Sequence, residues 1–248
     1  MRRQLFPTRI PWRRRVSLPI GIGALIAGAI GYFLIPFPVV FFLMSSGLCE
    51  RDEAIWTGAL TAPVGALSIY LAFLGFDCPL RTLGARLGVR RLKWQDLLWS
   101  LLGFCVILTG SIQLNFIWGR ILKLLKVSHI EKQNLLEMAE KTGWGSFFAM
   151  GAVVIILVPI SEEVFFRRGL YGVLRPLGAW TALIVTSLLF SAVHFFLFGF
   201  PSLFLMGLVF QLVYLKTRNL AAAITTHALV NLLAMFGAFL VRLGVPVE

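Results

Sequence analysis

The chain has 248 residues, 58% of them hydrophobic and 14% charged, with a mean hydropathy of +0.87 and a net charge of +12. A soluble domain is about 45–50% apolar and about 25% charged, so a soluble core is excluded and a polytopic helical membrane protein is expected. The positive charge does not indicate nucleic acid. Arg and Lys cluster at the ends of apolar runs, with no glycine-rich phosphate loop and no aromatic-basic strands, so the charge reads as a topology signal and as contact with anionic lipid.

Three cysteines, Cys49, Cys78 and Cys105, form neither a CxxC pair nor a metal spacing and read as small apolar residues in or near spans. The N-terminal arginines (Arg2, Arg3, Arg9, Arg13, Arg14, Arg15) precede an apolar run too long for a signal-peptide core, which predicts a retained first span.

A span takes roughly 20 apolar residues. In chain order the pattern predicts a first span within Ser17–Leu48, with the segment from Pro36 onward lying at the interface. A second span covers Ala54–Phe76, and a third, after the basic stretch from Arg81 to Lys93, covers Leu97–Trp118. The mixed segment Arg120–Lys141 reads as an amphipathic interfacial helix or loop, in which His129 is solvated. The fourth span starts at Gly145 and continues as a helix to Leu174, the fifth covers Trp180–Phe198, the sixth Leu203–Leu215 and the seventh Leu220–Val241. Seven crossings with the N-terminus in the cytoplasm leave most of the 23 Lys and Arg residues inside, as the positive-inside rule requires. The expectation is an all-α transmembrane bundle of about seven spans with one or two interfacial helices. It forms a single domain over 1–248 in a plasma or inner membrane, with the motif-bearing core at 145–241.

Three polar clusters interrupt these spans: Glu162-Glu163 with Arg167, then His194, then His227 with Asn231. An ionisable side chain at membrane depth costs at least about 2.5–3.5 kcal/mol, so such residues face a protein interior or a wet cavity. Glu163 and Arg167 are four apart and share a helix face, which predicts an ion pair. Glu162 points about 100° away and is left for other work, for which the base that activates a water is one reading and a structural ion pair the other. Arg168 reads as a side chain that snorkels to the interface. Phe190 stands one turn before His194 and could wall its ring. His227 and Asn231, four apart, share a face, either as donors to a developing oxyanion or as packing contacts. Counted from the inner ends of the spans, Glu162 lies roughly 18 Å deep, His194 roughly 24 Å, His227 roughly 10 Å and Asn231 roughly 16 Å, so one shared layer is allowed.

Glu-Glu-x-x-x-Arg, then Phe-x-x-x-His, then His-x-x-x-Asn, on successive spans, resembles the CPBP (ABI) family, which comprises type II CAAX prenyl endopeptidases and bacteriocin-processing or immunity proteins. Val158-Pro159-Ile160 and Thr217-Arg218-Asn219-Leu220 add to the resemblance, which covers about the last 100 residues. One departure concerns helix packing: the family's Gly directly follows the motif Arg, whereas here Arg168 intervenes before Gly169. The resemblance implies an intramembrane endopeptidase acting on a membrane-associated protein or peptide. In it Glu162, assisted by His194, activates water, His227 and Asn231 stabilise the oxyanion, and Glu163 and Arg167 orient the site. Glu162, His194 and His227 are also the ligand types of a zinc site, should the chemistry be metal-dependent. The rival reading is a binding, immunity or scaffold protein that uses the same polar cavity without cleavage. A transporter would show repeated halves with broken helices, which the sequence lacks.

Overall fold

The computed structural model describes residues 18–47, 58, 63–65, 67, 87–127 and 143–245. Every regular element among them is helical. α1 (Leu18–Leu34) bends at Ile35 into α2 (Pro36–Ser46), with Pro36 in the first turn, where a missing N–H costs nothing. α3 is Trp94–Leu124, α4 Trp144–Leu177, α5 Ala179–Ala192, α6 Phe200–Thr217 and α7 Leu220–Arg242. Among the described residues five stretches are long and apolar enough to cross a membrane: Ile26–Ser46, α3, α4, α6 and α7. Most of the expected second span and most of the expected amphipathic segment lie outside the described residues; residues 58, 63–65 and 67 of that span are helical. The first residues of the amphipathic segment, through Leu124, instead prolong α3.

The bundle is apolar outside, and its interior mixes aromatic and aliphatic side chains with small and polar ones. On α3, Leu98, Leu101, Leu102, Ile112 and Phe116 face outward while Ser100, Gly103 and Ile107 are buried. Lipid gives no hydrophobic drive for helices to associate, so small residues and interhelical hydrogen bonds make the contacts. Ser100 Oγ donates to the Ala222 carbonyl of α7 at 2.9 Å. At Gly207 of α6, a Cβ would lie 2.9 Å from the Ser187 Cα of α5, so only glycine permits this approach.

At one end of the bundle Asn219 joins three segments. Its Oδ1 caps α7 by accepting from Ala221 N at 3.1 Å and also accepts from Arg90 N at 3.0 Å. Its Nδ2 donates to Asp96 in the first turn of α3 at 3.0 Å. The Arg90 guanidinium donates to the Thr217 and Arg218 carbonyls at the end of α6, where orphan acceptors collect. This clasp fixes the depth of α7, and therefore of His227, relative to α3 and α6. α4 runs through the centre, and residues 161–164 and 166–169 are all buried.

Candidate active site

α4 is not a uniform α-helix. Two π turns, Val153–Leu157 and Val164–Leu170, flank the short α segment Val158–Glu163 that carries both glutamates. π turns are the form in which extra residues enter a helix without breaking it, and they recur at functional sites. The second turn holds Arg167, the intervening Arg168 and Gly169. Its wider circumference corrects the expectation for Arg168. The side chain does not snorkel outward; it is 7% exposed, with Nη1 3.5 Å from the Tyr214 hydroxyl.

The two adjacent carboxylates meet different surroundings. Glu163 is fully buried and saturated. It accepts from Arg167 Nε at 2.9 Å, from Arg167 Nη2 at 3.3 Å and from His227 Nδ1 at 3.0 Å. The guanidinium also lies over the rings of Phe190, Phe210 and Phe166, with centroids 4.8, 5.6 and 5.8 Å away. The expected i,i+4 pair is therefore present, and it acquires an imidazole from α7. With Nδ1–H given to Glu163, His227 presents Nε2 as its open nitrogen. That atom lies 3.9 Å from Glu162 Oε2, which is buried and makes no hydrogen bond. The His227 ring stacks on Phe210 at 4.6 Å and 16°, so its plane is fixed from one face.

His194 arrives by a broken helix. The expected span to Phe198 ends six residues early, at Ala192. His194 N bonds back to the Ser191 carbonyl, and Phe195 adopts a left-handed φ of 50°. Non-helical backbone at membrane depth needs polar partners within the protein. Ser191 Oγ donates to the Phe200 carbonyl at 2.6 Å and Trp118 Nε1 donates to the Leu197 carbonyl at 3.0 Å. His194 Nδ1 is 2.7 Å from the Phe190 carbonyl, which leaves Nε2 open. The Phe190 ring walls His194 as expected, at 4.9 Å, and also touches His227 at 6.0 Å. Glu162, Glu163, Arg167 and His227 thus meet directly, while His194 joins them through an aromatic ring and forms no ion pair with either carboxylate. Asn231 lies one turn beyond His227, with its amide on α4: Nδ2 donates to the Val154 carbonyl at 2.8 Å.

The zinc reading finds no ligand set here. Among the described residues no three His, Cys, Asp or Glu side chains come close enough to hold one ion. His227 and His194 give Nδ1 to Glu163 and to the Phe190 carbonyl, and each keeps Nε2, the nitrogen that a metal would take.

A cavity opens at Glu162, walled by Ser161, Phe165, Phe166, Val193 and, from outside the motif helices, Ala29, Tyr32 and Pro63. Neither this wall nor the Phe210 platform was legible beforehand. Phe210 stands in an unbroken apolar run with nothing to mark it, whereas the polar tip of Tyr32 in mid-span was an available signal.

Fold and site together define a polytopic helical membrane protein with a buried carboxylate–imidazole–guanidinium centre beside an apolar cavity. Residues 144–233 match the family model described as type II CAAX prenyl endopeptidase Rce1-like. The chain is 28% identical over 197 residues to the membrane-embedded CAAX protease MroQ of Staphylococcus aureus (strain USA300), covering 77% of this chain and 76% of that protein. No solved structure gives a significant match. These similarities bear out the resemblance read from the ordered motifs and support intramembrane protease activity in general.

Proposed function

We propose that the protein is an intramembrane endopeptidase that hydrolyses a peptide bond of a membrane-associated protein or peptide, with Glu162 as the base that activates water. The observation that carries this reading is the contrast within the glutamate pair. Glu163 spends its oxygens on Arg167 and His227, whereas Glu162 keeps an unbonded oxygen in the same dry layer, at the edge of a cavity. Two carboxylates with unlike environments take unlike roles.

In this scheme Glu162 takes a proton from water as the water oxygen bonds to the scissile carbonyl carbon. His194 assists through its open Nε2. Protonated His227, its charge balanced by Glu163, donates from Nε2 to the oxyanion. Collapse of the tetrahedral species breaks the C–N bond, and the proton held by Glu162 passes to the leaving amine. Arg167 and Glu163 hold the His227 ring in place.

The test uses detergent-purified protein and a synthetic library of transmembrane-length apolar peptides, with products read by mass spectrometry. New termini are expected with the wild type and not with Glu162→Gln, which keeps size and burial. Equal cleavage by Glu162→Gln would overturn the assignment. No cleavage by a folded wild type would favour the binding reading.

A further inference from the structure

The resemblance assigns Asn231 to the oxyanion, and the structure gives one N–H of its amide to a main-chain carbonyl; the sequence of α4 explains why that carbonyl needs it. In the first π turn the Val158 N–H reaches back five residues to the Val153 carbonyl. It therefore passes over Val154, the acceptor it would have in an α-helix. The next residue, Pro159, has no N–H to offer. The Val154 carbonyl is left without a main-chain donor by the π register and the proline together. At membrane depth such an orphan is costly. Asn231 Nδ2, from a helix 77 residues away in sequence, donates to it at 2.8 Å.

We infer that Asn231 is a positioning residue: it latches α7 onto the π turn of α4, so that His227 and Glu162 face each other. The two helices meet along an antiparallel seam. His227 meets Glu163, Asn231 meets Val154, a Cβ at Gly151 would touch Met235, and Phe147 packs on Met235, Ala238 and Phe239. Along this seam His227 and Asn231, four residues apart on α7, each hydrogen-bond to α4. The His227 contact holds the imidazole. The Asn231 contact holds the π turn, which begins the register leading through Pro159 to Glu162. Loss of the latch frees the turn to wind back to α, which rotates the glutamates away from His227.

The test exploits the proline. Asn231→Ala is expected to lower the apparent unfolding temperature in detergent by on the order of 5 °C. Pro159→Ala restores an N–H next to the orphan carbonyl, so Pro159→Ala/Asn231→Ala should regain most of that loss, measured against Pro159→Ala alone. Additive losses in the double variant, or a wild-type unfolding temperature for Asn231→Ala, would overturn the latch. This thermal arm does not depend on proteolysis, so the latch and the proteolytic reading fail separately. In the activity arm, which rests on that reading, turnover of the peptide library by the double variant should match Pro159→Ala alone. Stability regained with turnover still lost would mean that Asn231 acts on the substrate instead.

Discussion

The buried charge network allows a sharp test at Arg167. The guanidinium is fully enclosed, with two nitrogens on Glu163 at 2.9 and 3.3 Å and three aromatic rings within 6 Å of its centre. Arg167→Met keeps much of the volume but leaves Glu163 buried with only the His227 Nδ1–H. Stranding one member of a buried pair costs about 3–5 kcal/mol. At about 1.4 kcal/mol per tenfold, that is roughly 10²- to 10⁴-fold in the folding constant. Arg167→Lys restores the charge with a single point donor in place of the fork, so an intermediate loss is expected. Glu163→Gln/Arg167→Met removes both charges and should be more stable than Arg167→Met alone, because an unpaired buried charge costs more than a missing pair. The assay is SDS-induced unfolding of protein in mixed micelles, followed by tryptophan fluorescence from the seven tryptophans. Wild-type stability in Arg167→Met, or additive losses in the double variant, would refute the view that this pair holds the centre of the bundle.

Phe210→Ala removes the platform under His227 from a fully buried position, and a loss of about 3–5 kcal/mol is expected together with reduced turnover; unchanged SDS unfolding would contradict it. Gly207→Ala forces a methyl group against the Ser187 backbone and should cost about 1–3 kcal/mol by parting α5 from α6, read in the same assay. Asn219→Ala removes the α7 cap together with the hydrogen bonds to Asp96 and Arg90 N, so a loss above the roughly 1 kcal/mol of a simple cap is expected, and a smaller one would show that the clasp is slack. Cleavage of the peptide library is expected to continue in excess EDTA, because among the described residues no three candidate ligands come together; activity lost to the chelator and restored by zinc would overturn that expectation.

Class and vocabulary are properties of sequence alone. A composition too apolar for water imposes spans, and charge at the ends of apolar runs separates them. The Glu163–Arg167 pair was legible because it is local, with its spacing set by one helix turn. The wall that Phe190 makes for His194 was legible for the same reason, since both belong to one short segment. What could not be read is everything that depends on register across helices. The fifth span ends at Ala192 because hydrogen bonds from Ser191 and from Trp118 on α3 satisfy a non-helical chain, and hydropathy carries no record of such partners. Arg168 turns inward because α4 takes a π turn there, whereas a 3.6-residue period places it elsewhere. The division of labour between Glu162 and Glu163 needs His227, 64 residues away in sequence, to arrive at one carboxylate and not the other. Asn231 sits on the same face as His227, as its spacing required, but that one of its N–H groups meets the Val154 carbonyl depends on the register of α4. Local periodicity sets which side chains share a face; only packed helices decide what that face meets.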